Sequence, residues 1–213
     1  MDIFVSVATG LNPQQEEFVA AVEDRLRSKG LTPKTVGRNT FSPDAPLRAV
    51  TDLMRQCSGV VVIALERLHF PQGEERRGTD QYRELTDVKI PTVWNQIEAT
   101  LAYDAKLPLL VIVEPSIRKD GLLEQGNDWY VQELSVTRSS LNSPAFSGIL
   151  EAWNDRLVDR PTDVDIPEKT PDVSKMSIGE LLSALRPGQA WTAFAALVAA
   201  LSGAFALGAK FFG

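Results

Sequence analysis

The chain has 213 residues, of which 44% are hydrophobic and 23% are charged, a composition that predicts one folded domain with an appended segment. The net charge of −6 and the lack of a Lys/Arg-rich run argue against a nucleic acid partner. With a single cysteine and a single histidine, the sequence excludes an internal disulfide and a Cys/His zinc site, so no metal is expected. A reducing, cytoplasmic compartment is expected for the folded part.

Hydrophobic periodicity predicts alternating strands and helices over residues 1–158. The predicted elements, in chain order, are a strand at 3–7, a helix at 12–30, a strand at 32–36, a helix at 46–57, a strand at 59–65, a helix from 92, a strand at 107–113, an edge strand at 129–136 and a helix at 145–158. This alternation predicts an α/β fold, specifically a flavodoxin-like three-layer domain whose parallel sheet is covered by helices on both faces.

Residues 67–91 interrupt the alternation with a polar insert. The stretch from Gly73 to Asp80 is polar and contains glycines, so it predicts a mobile loop near the mouth of a pocket. Such a loop would serve as a lid or as an assembly surface.

The sequence after residue 158 changes character. Residues 159–175 carry three prolines among polar residues and predict an extended linker, and 176–186 predict a short amphipathic helix. Residues 190–212 are almost wholly apolar and predict a transmembrane helix, hence a single-pass C-terminal tail anchor with the domain in the cytoplasm. A buried alanine-rich helix of a soluble oligomer is the alternative. Small residues recur every fourth position and would favour helix self-association: Ala196, Ala200, Ala204 and Gly208.

The helix that begins near Thr92 contains the strongest candidate for chemistry. Trp94 and Glu98 lie four residues apart and share one face, whereas Val93, Ile97 and Leu101 form an apolar stripe predicted to face the core. This pattern places Glu98 at the edge of the core, where a carboxylate could stabilise a developing cation in a cleft. A half-exposed surface glutamate is the alternative interpretation.

The loops after the predicted strands supply candidate binding residues, because ligands of parallel sheets bind outside the carboxyl ends of the strands. Ala8, Thr9 and Gly10 follow the first strand, Arg38 follows the second and Arg67 follows the third. An arginine there could bind a phosphate bidentately, although a solvated surface role is equally compatible with the sequence.

Several of these motifs resemble a Toll/interleukin-1 receptor (TIR) domain over residues 1–158. The resemblance lies in Phe4-Val5-Ser6, the Trp94-x-x-x-Glu98 pair, the run from Leu107 to Ile112 and the Pro115-Ser116-Ile117-Arg118 turn. It implies that Glu98 matches the glutamate with which TIR enzymes cleave the nicotinamide–ribose bond of NAD. Trp94, Asn95, Ser6 and the loop from Ala8 to Gly10 would then contribute to the substrate site, with NAD as substrate and no separate cofactor.

The related nucleoside 2-deoxyribosyltransferase-like fold shares the strand–helix order and a glutamate in the same helix. This chain has Cys57-Ser58 where that family has an aspartate, and Trp94-Asn95 where it has a Gly-Thr pair. These differences favour the TIR interpretation.

The sequence therefore predicts a membrane-anchored NAD glycohydrolase that is activated by self-association and acts in prokaryotic antiphage defence or cell suicide. Two alternatives remain open. One is a non-catalytic TIR-like sensor or interaction module whose tail helix oligomerises or disrupts the membrane. The other is a nucleoside or nucleotide N-glycosidase of the deoxyribosyltransferase type. No G-x-G-x-x-G, Walker-type, H-E-x-x-H or Ser/His/Asp motif is present to suggest another enzyme class.

Overall fold

A computed structural model describes residues 1–126 and 128–158. The predicted linker at 159–175, the amphipathic helix at 176–186 and the transmembrane helix at 190–212 lie outside these residues. Among the helices of the described residues, none combines the length and apolarity needed to cross a bilayer.

A five-stranded parallel sheet forms the centre of the domain. Its strands are β1 (Asp2–Val7), β2 (Thr32–Lys34), β3 (Gly59–Ala64), β6 (Leu109–Val113) and β7 (Tyr130–Glu133), in the spatial order β2-β1-β3-β6-β7. The two central strands are fully buried and rich in Val and Ile, as expected for parallel strands covered on both faces. Apart from the inserted strands β4 and β5, this is the 2-1-3-4-5 order of doubly wound sheets, in which the chain reverses direction between β1 and β3.

Four helices cover the two faces of the sheet: α1 (Pro13–Ser28), α2 (Pro46–Arg55), α3 (Val93–Asp104) and α4 (Pro144–Val158). Side chains of α1 and α4, including Phe18 and Trp153, pack in one hydrophobic cluster with Ile3, Val5 and other residues of the sheet. Residues of α2 and α3, with Phe4 and alternate residues of β3 and β6, form the cluster on the other face. The predicted α/β, mostly parallel architecture is therefore observed, with element bounds within a few residues of those predicted.

A mobile loop was predicted for residues 73–80 of the polar insert, and the structure differs at its start, because residues 73–75 belong to a strand. Residues 68–90 form an antiparallel hairpin of β4 (Leu68–Glu75) and β5 (Arg83–Ile90), with Leu68 opposite Ile90 and Glu75 opposite Arg83. Most of its side chains are solvent-exposed, so its hydrophobic pattern is weak although its backbone is paired. Only residues 76–82 form the connecting loop.

Hydrogen bonds and an ion pair connect both ends of the hairpin to the rest of the domain. At its base, the Arg67 backbone N–H donates to the carbonyl of Ile90 at 2.9 Å. Near its tip, Glu75 accepts from the Arg118 guanidinium at 2.5 Å. The Arg118 backbone N–H donates to the carbonyl of Lys89, near the base, at 2.7 Å. The hairpin therefore fixes where the chain leaves β3 and where it enters α3.

Candidate active site

A cavity of about 430 Å³ opens at the carboxyl edge of the sheet, where the strand order reverses. Ligands of doubly wound sheets bind at this place, because the loops after β1 and β3 diverge there and leave a crevice. The loops after β1, β2 and β3 and the N-terminal parts of α2 and α3 line it with Val7, Ala8, Thr9, Val36, Pro46, Val50, Arg67, Thr92, Trp94 and Glu98.

Glu98 lies one turn into α3, and its side chain is largely buried, with 8% of the residue exposed. Thr92 begins the helix as its N-cap, since its hydroxyl accepts a hydrogen bond from the Trp94 backbone N–H at 3.4 Å. The cap sets the start of the helix and therefore the residue that points into the crevice one turn later.

The apolar stripe predicted for α3 is wrong at Val93 and Ile97, and only Leu101 packs partly against the core. Val93 is 70% exposed and Ile97 is also exposed, whereas Ala99, Ala102 and the polar Asn95 and Glu98 are buried. The two alanines allow the helix to lie close to the sheet, and Val93 and Ile97 are left on the outer face. Glu98 is therefore within the buried face of α3 and not at its edge.

Burial raises the pKa of the Glu98 carboxyl to about 7, because an ionised carboxylate is poorly solvated there. A hydrogen bond from the Ser6 side chain lowers the pKa and partly opposes this effect. Near neutral pH both protonation states are therefore accessible to Glu98. The ionised form would interact strongly with a cation placed in the cavity, where water is largely excluded.

Ser6 and Asn95 lie behind Glu98, and each is 1% exposed. The amide Nδ2 of Asn95 donates to the Ser6 hydroxyl oxygen at 3.0 Å, and it lies 3.5 Å from the carbonyl of Ile63. Both residues were candidates for direct substrate contact. The structure instead places them outside the residues that line the cavity, where they contact each other and Asn95 faces the carbonyl of Ile63 in the sheet.

Arg67 is exposed at the mouth of the cavity. Its guanidinium donates to the carbonyl of Thr9, which connects the loop after β3 to the loop after β1. Gly10 completes that loop with a φ of +71°, a conformation that L residues rarely adopt, and it lies against the same guanidinium. No carboxylate of the described residues pairs with Arg67, so its charge is available to an anion.

Trp94 lines the cavity as predicted, with 39% of the residue exposed. An indole in this position offers a flat apolar surface to an aromatic ring of a ligand. The sequence analysis missed five residues that line the cavity: Val7, Val36, Pro46, Val50 and Thr92. The Ser/Thr/Asp preference of helix N-caps was the one signal that could have identified Thr92.

Arg38 does not belong to the cavity, and the prediction that it binds substrate is not supported by its position. Its guanidinium pairs with Glu16 at 2.7 Å and with the buried Glu23 at 3.2 Å, both on α1. The turn at Gly37, with a φ of +76°, directs the chain back toward that helix. Arg38, which was predicted to bind a phosphate, therefore pairs with the acidic residues of α1 instead.

Comparison with known proteins gives no family assignment. No protein-family model matches the chain, and no curated protein matches it. The resemblance to TIR domains therefore remains an interpretation of short motifs.

Among solved structures, the chain is similar to a CMP N-glycosidase from Clostridium botulinum, with 11% identity, a TM-score of 0.43, and coverage of 71% of this chain and 99% of that chain. It is also similar to a 2-desoxiribosyltransferase from Leishmania mexicana, with 13% identity, a TM-score of 0.39, and coverage of 62% and 90%. By their names, these proteins correspond to the deoxyribosyltransferase-type alternative. Because both TM-scores lie below 0.5, neither similarity decides the reaction of this chain.

A second, larger hollow of about 620 Å³ lies at the opposite edge of the sheet, near the end of α3 and the start of β6. It is lined by Tyr103, Trp129 and Arg156 among others, and none of the described residues that line it is a buried titratable group. Within the residues that the structure describes, no group of three or more His, Cys, Asp or Glu is placed to hold a metal ion. The crevice with Glu98 is therefore the better candidate for an active site.

Proposed function

We propose that the domain is an N-glycosidase that hydrolyses the bond between the base and the ribose of a nucleotide. The observation that carries this proposal is the buried carboxyl of Glu98 in the crevice at the strand-order reversal, with the unpaired guanidinium of Arg67 at its mouth. These two groups would bind the two ends of a nucleotide, the reacting sugar carbon and the phosphate.

The reaction requires a group that stabilises positive charge on the sugar. When the C1′–N bond breaks, its electron pair leaves with the base and the ribosyl centre becomes an oxocarbenium-like cation. The ionised carboxylate of Glu98 would stabilise this cation or bond to C1′, as carboxylates do in glycosidases. A water oxygen then bonds to C1′, breaking the bond to Glu98 if one had formed, and the proton that the water loses ends on the nitrogen of the departed base. The products are the free base and a sugar with a hydroxyl at C1′.

The size and charge of the cavity favour a nucleoside monophosphate as substrate. Its volume of about 430 Å³ lies toward the lower end of the range for small-molecule sites, ≈300–1,000 Å³. Arg67 is the one cationic side chain among the lining residues. A single phosphate matches one free guanidinium better than a dinucleotide pyrophosphate does.

NAD is the second candidate substrate, because Glu98 is the one carboxyl among the residues described as lining the cavity. Nicotinamide leaves NAD as a neutral molecule and needs no acid to protonate it, whereas most nucleobases leave more readily when a second group supplies a proton. The partly exposed Trp94 ring could stack on the nicotinamide.

The test is release of free base by the purified full-length protein, in detergent or liposomes, from nucleoside monophosphates, the matching nucleosides and NAD. We expect Glu98→Gln and Glu98→Ala to lower the rate at least about 100-fold. Glu151→Gln is the control, since Glu151 is an exposed glutamate paired with Lys29 on a different helix. Release that survives Glu98→Gln would contradict the proposal, and the absence of product from every substrate would favour the non-catalytic module.

Membrane attachment through residues 190–212, a cytoplasmic location of the domain, activation by self-association and a role in antiphage defence remain proposals that rest on the sequence alone. Flotation of the full-length chain with liposomes, compared with a chain ending at residue 186, tests the first of these. Equal recovery of both chains in the soluble fraction would contradict it.

A further inference from the structure

The buried polar cluster behind Glu98 has a defined hydrogen-bond direction. The carbonyl of Ile63 can only accept a hydrogen bond, so the atom of Asn95 that faces it is the amide nitrogen. The same nitrogen lies 3.0 Å from the Ser6 hydroxyl oxygen and donates to it. The orientation of the Asn95 amide therefore follows from the carbonyl that it faces.

The orientation of the Asn95 amide determines which hydrogen bonds the Ser6 hydroxyl can form. A serine hydroxyl carries one proton and can accept at its lone pairs. Because the oxygen of Ser6 accepts from Asn95, its proton is free for another acceptor, and the carboxyl of Glu98, whose pKa the Ser6 side chain lowers, is the acceptor that we infer for it. The donors run in one direction, from Asn95 to Ser6 to Glu98, and such chains strengthen one another in a low-dielectric interior.

This arrangement has a cost that a purely structural asparagine would avoid. The Oδ1 of Asn95 is buried and has no hydrogen-bond partner within the described residues. An unpaired buried acceptor costs about 1–3 kcal/mol. An apolar side chain such as Leu would fill the site without this cost, so the presence of an asparagine here indicates a use for its donor.

We propose that Asn95 is a positioning residue, which acts through Ser6 to keep the Ser6 hydroxyl proton on the carboxylate of Glu98. The proposal rests on the proposed function, in which the ionised form of Glu98 acts at the sugar. Loss of Ser6 would remove the donor to the carboxyl, and loss of Asn95 would leave the Ser6 hydroxyl free to turn its proton elsewhere.

The charges around Glu98 allow this effect to be measured cleanly. Of the residues that line the cavity from β1, α2 and the base of the hairpin, Arg67 is the charged one, and it is exposed at the mouth. The other charged residue of α3 is Asp104, at the far end of the helix. A change in the titration of Glu98 in Ser6 or Asn95 variants would therefore report on the hydrogen bond from Ser6.

The experiment compares the pH dependence of kcat/KM for wild type, Ser6→Ala, Asn95→Leu and the double variant. We expect Ser6→Ala and Asn95→Leu each to move the acid limb of the profile to higher pH by about one unit, because the ionised Glu98 carboxylate loses one hydrogen bond. At pH 6, kcat/KM should then fall about tenfold in each variant. Ser6→Thr, which retains a hydroxyl, should restore the wild-type limb. Thr100→Ala is the matched control, since its hydroxyl donates to the carbonyl of Gln96 on the same helix at 2.7 Å.

The double variant separates positioning from structural support. If Asn95 acts through Ser6, the double variant should match Ser6→Ala alone within about twofold, because the two effects share one path. An acid limb that stays in place in Asn95→Leu, or a double variant with the sum of both shifts, would overturn the proposal. Asn95→Ala replaces Asn95→Leu if circular dichroism shows that the leucine variant does not fold.

Direct titration of the Glu98 carboxyl tests this proposal independently of the proposed function. If the wild-type protein releases no base, the proposed function is refuted. NMR titration of the ¹³C-labelled Glu98 carboxyl still tests the hydrogen-bond relay, that is, the path from Asn95 through Ser6 to Glu98. A higher Glu98 pKa in Asn95→Leu than in wild type would support the relay. An unchanged Glu98 pKa would refute it.

Discussion

Glu98 is an unusual residue for the buried face of a helix, because no group of opposite charge among the described residues pairs with it to stabilise its ionised form. The causes of its shifted pKa are burial, which raises it, and the hydrogen bond from Ser6, which lowers it. Carboxyl groups with strongly shifted pKa values are concentrated at functional sites. The position of Glu98 in a crevice supports the same conclusion independently.

The pKa of Glu98 predicts a loss of stability as the pH rises. The pKa of the Glu98 carboxyl is about 7 in the folded protein, against the ordinary glutamate value of 4.5, so the folded state binds more protons than the unfolded state between these values. The free energy of unfolding should therefore fall between about pH 4.5 and pH 7, by about 3 kcal/mol.

Urea unfolding of wild type and Glu98→Gln at pH 5 and pH 8 measures this effect. The glutamine variant cannot ionise, so the difference in unfolding free energy between the two proteins should change in its favour at pH 8. A difference that is the same at both pH values would show that Glu98 titrates normally.

Arg67 and Arg38 provide a second residue-scale prediction, because both were candidates for a phosphate and only Arg67 lines the cavity. Arg67→Ala should raise KM for a nucleoside monophosphate about 10- to 100-fold, since a charge-assisted hydrogen bond to phosphate is lost. KM for the matching nucleoside should change little. Arg38→Ala is the matched control, and an equal effect of both variants, or an equal loss for nucleoside and nucleotide, would refute phosphate binding by Arg67.

At the scale of elements, the β4–β5 hairpin holds two parts of the cavity in place. Its base joins Arg67 to Ile90 by a backbone hydrogen bond, and α3 begins three residues after Ile90. Arg118 pairs with Glu75 and Asp120, and it connects the hairpin to the segment after β6. The insert therefore positions Arg67 and the N-cap of α3 relative to each other.

The packing of β3 against α4 gives a prediction about stability. A Cβ on Gly59 would lie 2.4 Å from Leu157 Cδ2, 3.1 Å from Trp153 Cζ2 and 3.2 Å from the carbonyl of Pro108. Gly59→Ala should lower the free energy of unfolding by about 1–3 kcal/mol, because the strand and helix must move apart. Thermal and urea unfolding measure the change.

Gly148 of α4 is the control for that substitution, since a Cβ there meets no atom within 4 Å. Gly148→Ala should stabilise the protein by about 0.5–1 kcal/mol, because alanine favours the helix more than glycine does. If the two alanine variants had the same stability, close contact at Gly59 would not be the cause of its effect.

At the scale of the whole molecule, the order of the strands in the sheet determines where the cavity forms. The connection from β1 through α1 to β2 goes to one side of β1, and β3 lies on the other side. The loops after β1 and β3 therefore separate at the carboxyl edge, and Thr9 and Arg67 meet across the gap. Residues distant in sequence form the cavity because of this order.

Much of this architecture could be predicted from the sequence because it follows from local patterns. Uninterrupted apolar runs such as the one from Val60 to Leu65 are buried wherever a parallel sheet forms, and Asn12-Pro13 begins a helix with its own capping box. The hairpin could not be predicted in the same way, because its exposed strands are held by backbone pairing and by the ion pair of Glu75 with Arg118.

The sequence by itself determined the α/β alternation, the helix that carries Glu98 and the loops from which the cavity is built, since these depend on hydrophobic periodicity and local turn residues. Only the tertiary structure decided that the Asn95, Glu98 and Ala99 face of α3 is buried, that Arg67 and not Arg38 reaches the cavity, and that Ser6 contacts Asn95 across 89 residues of sequence. The physical reason is that helix orientation, ion pairing and hydrogen bonding depend on partners from other elements. Those partners come together only when the sheet has formed.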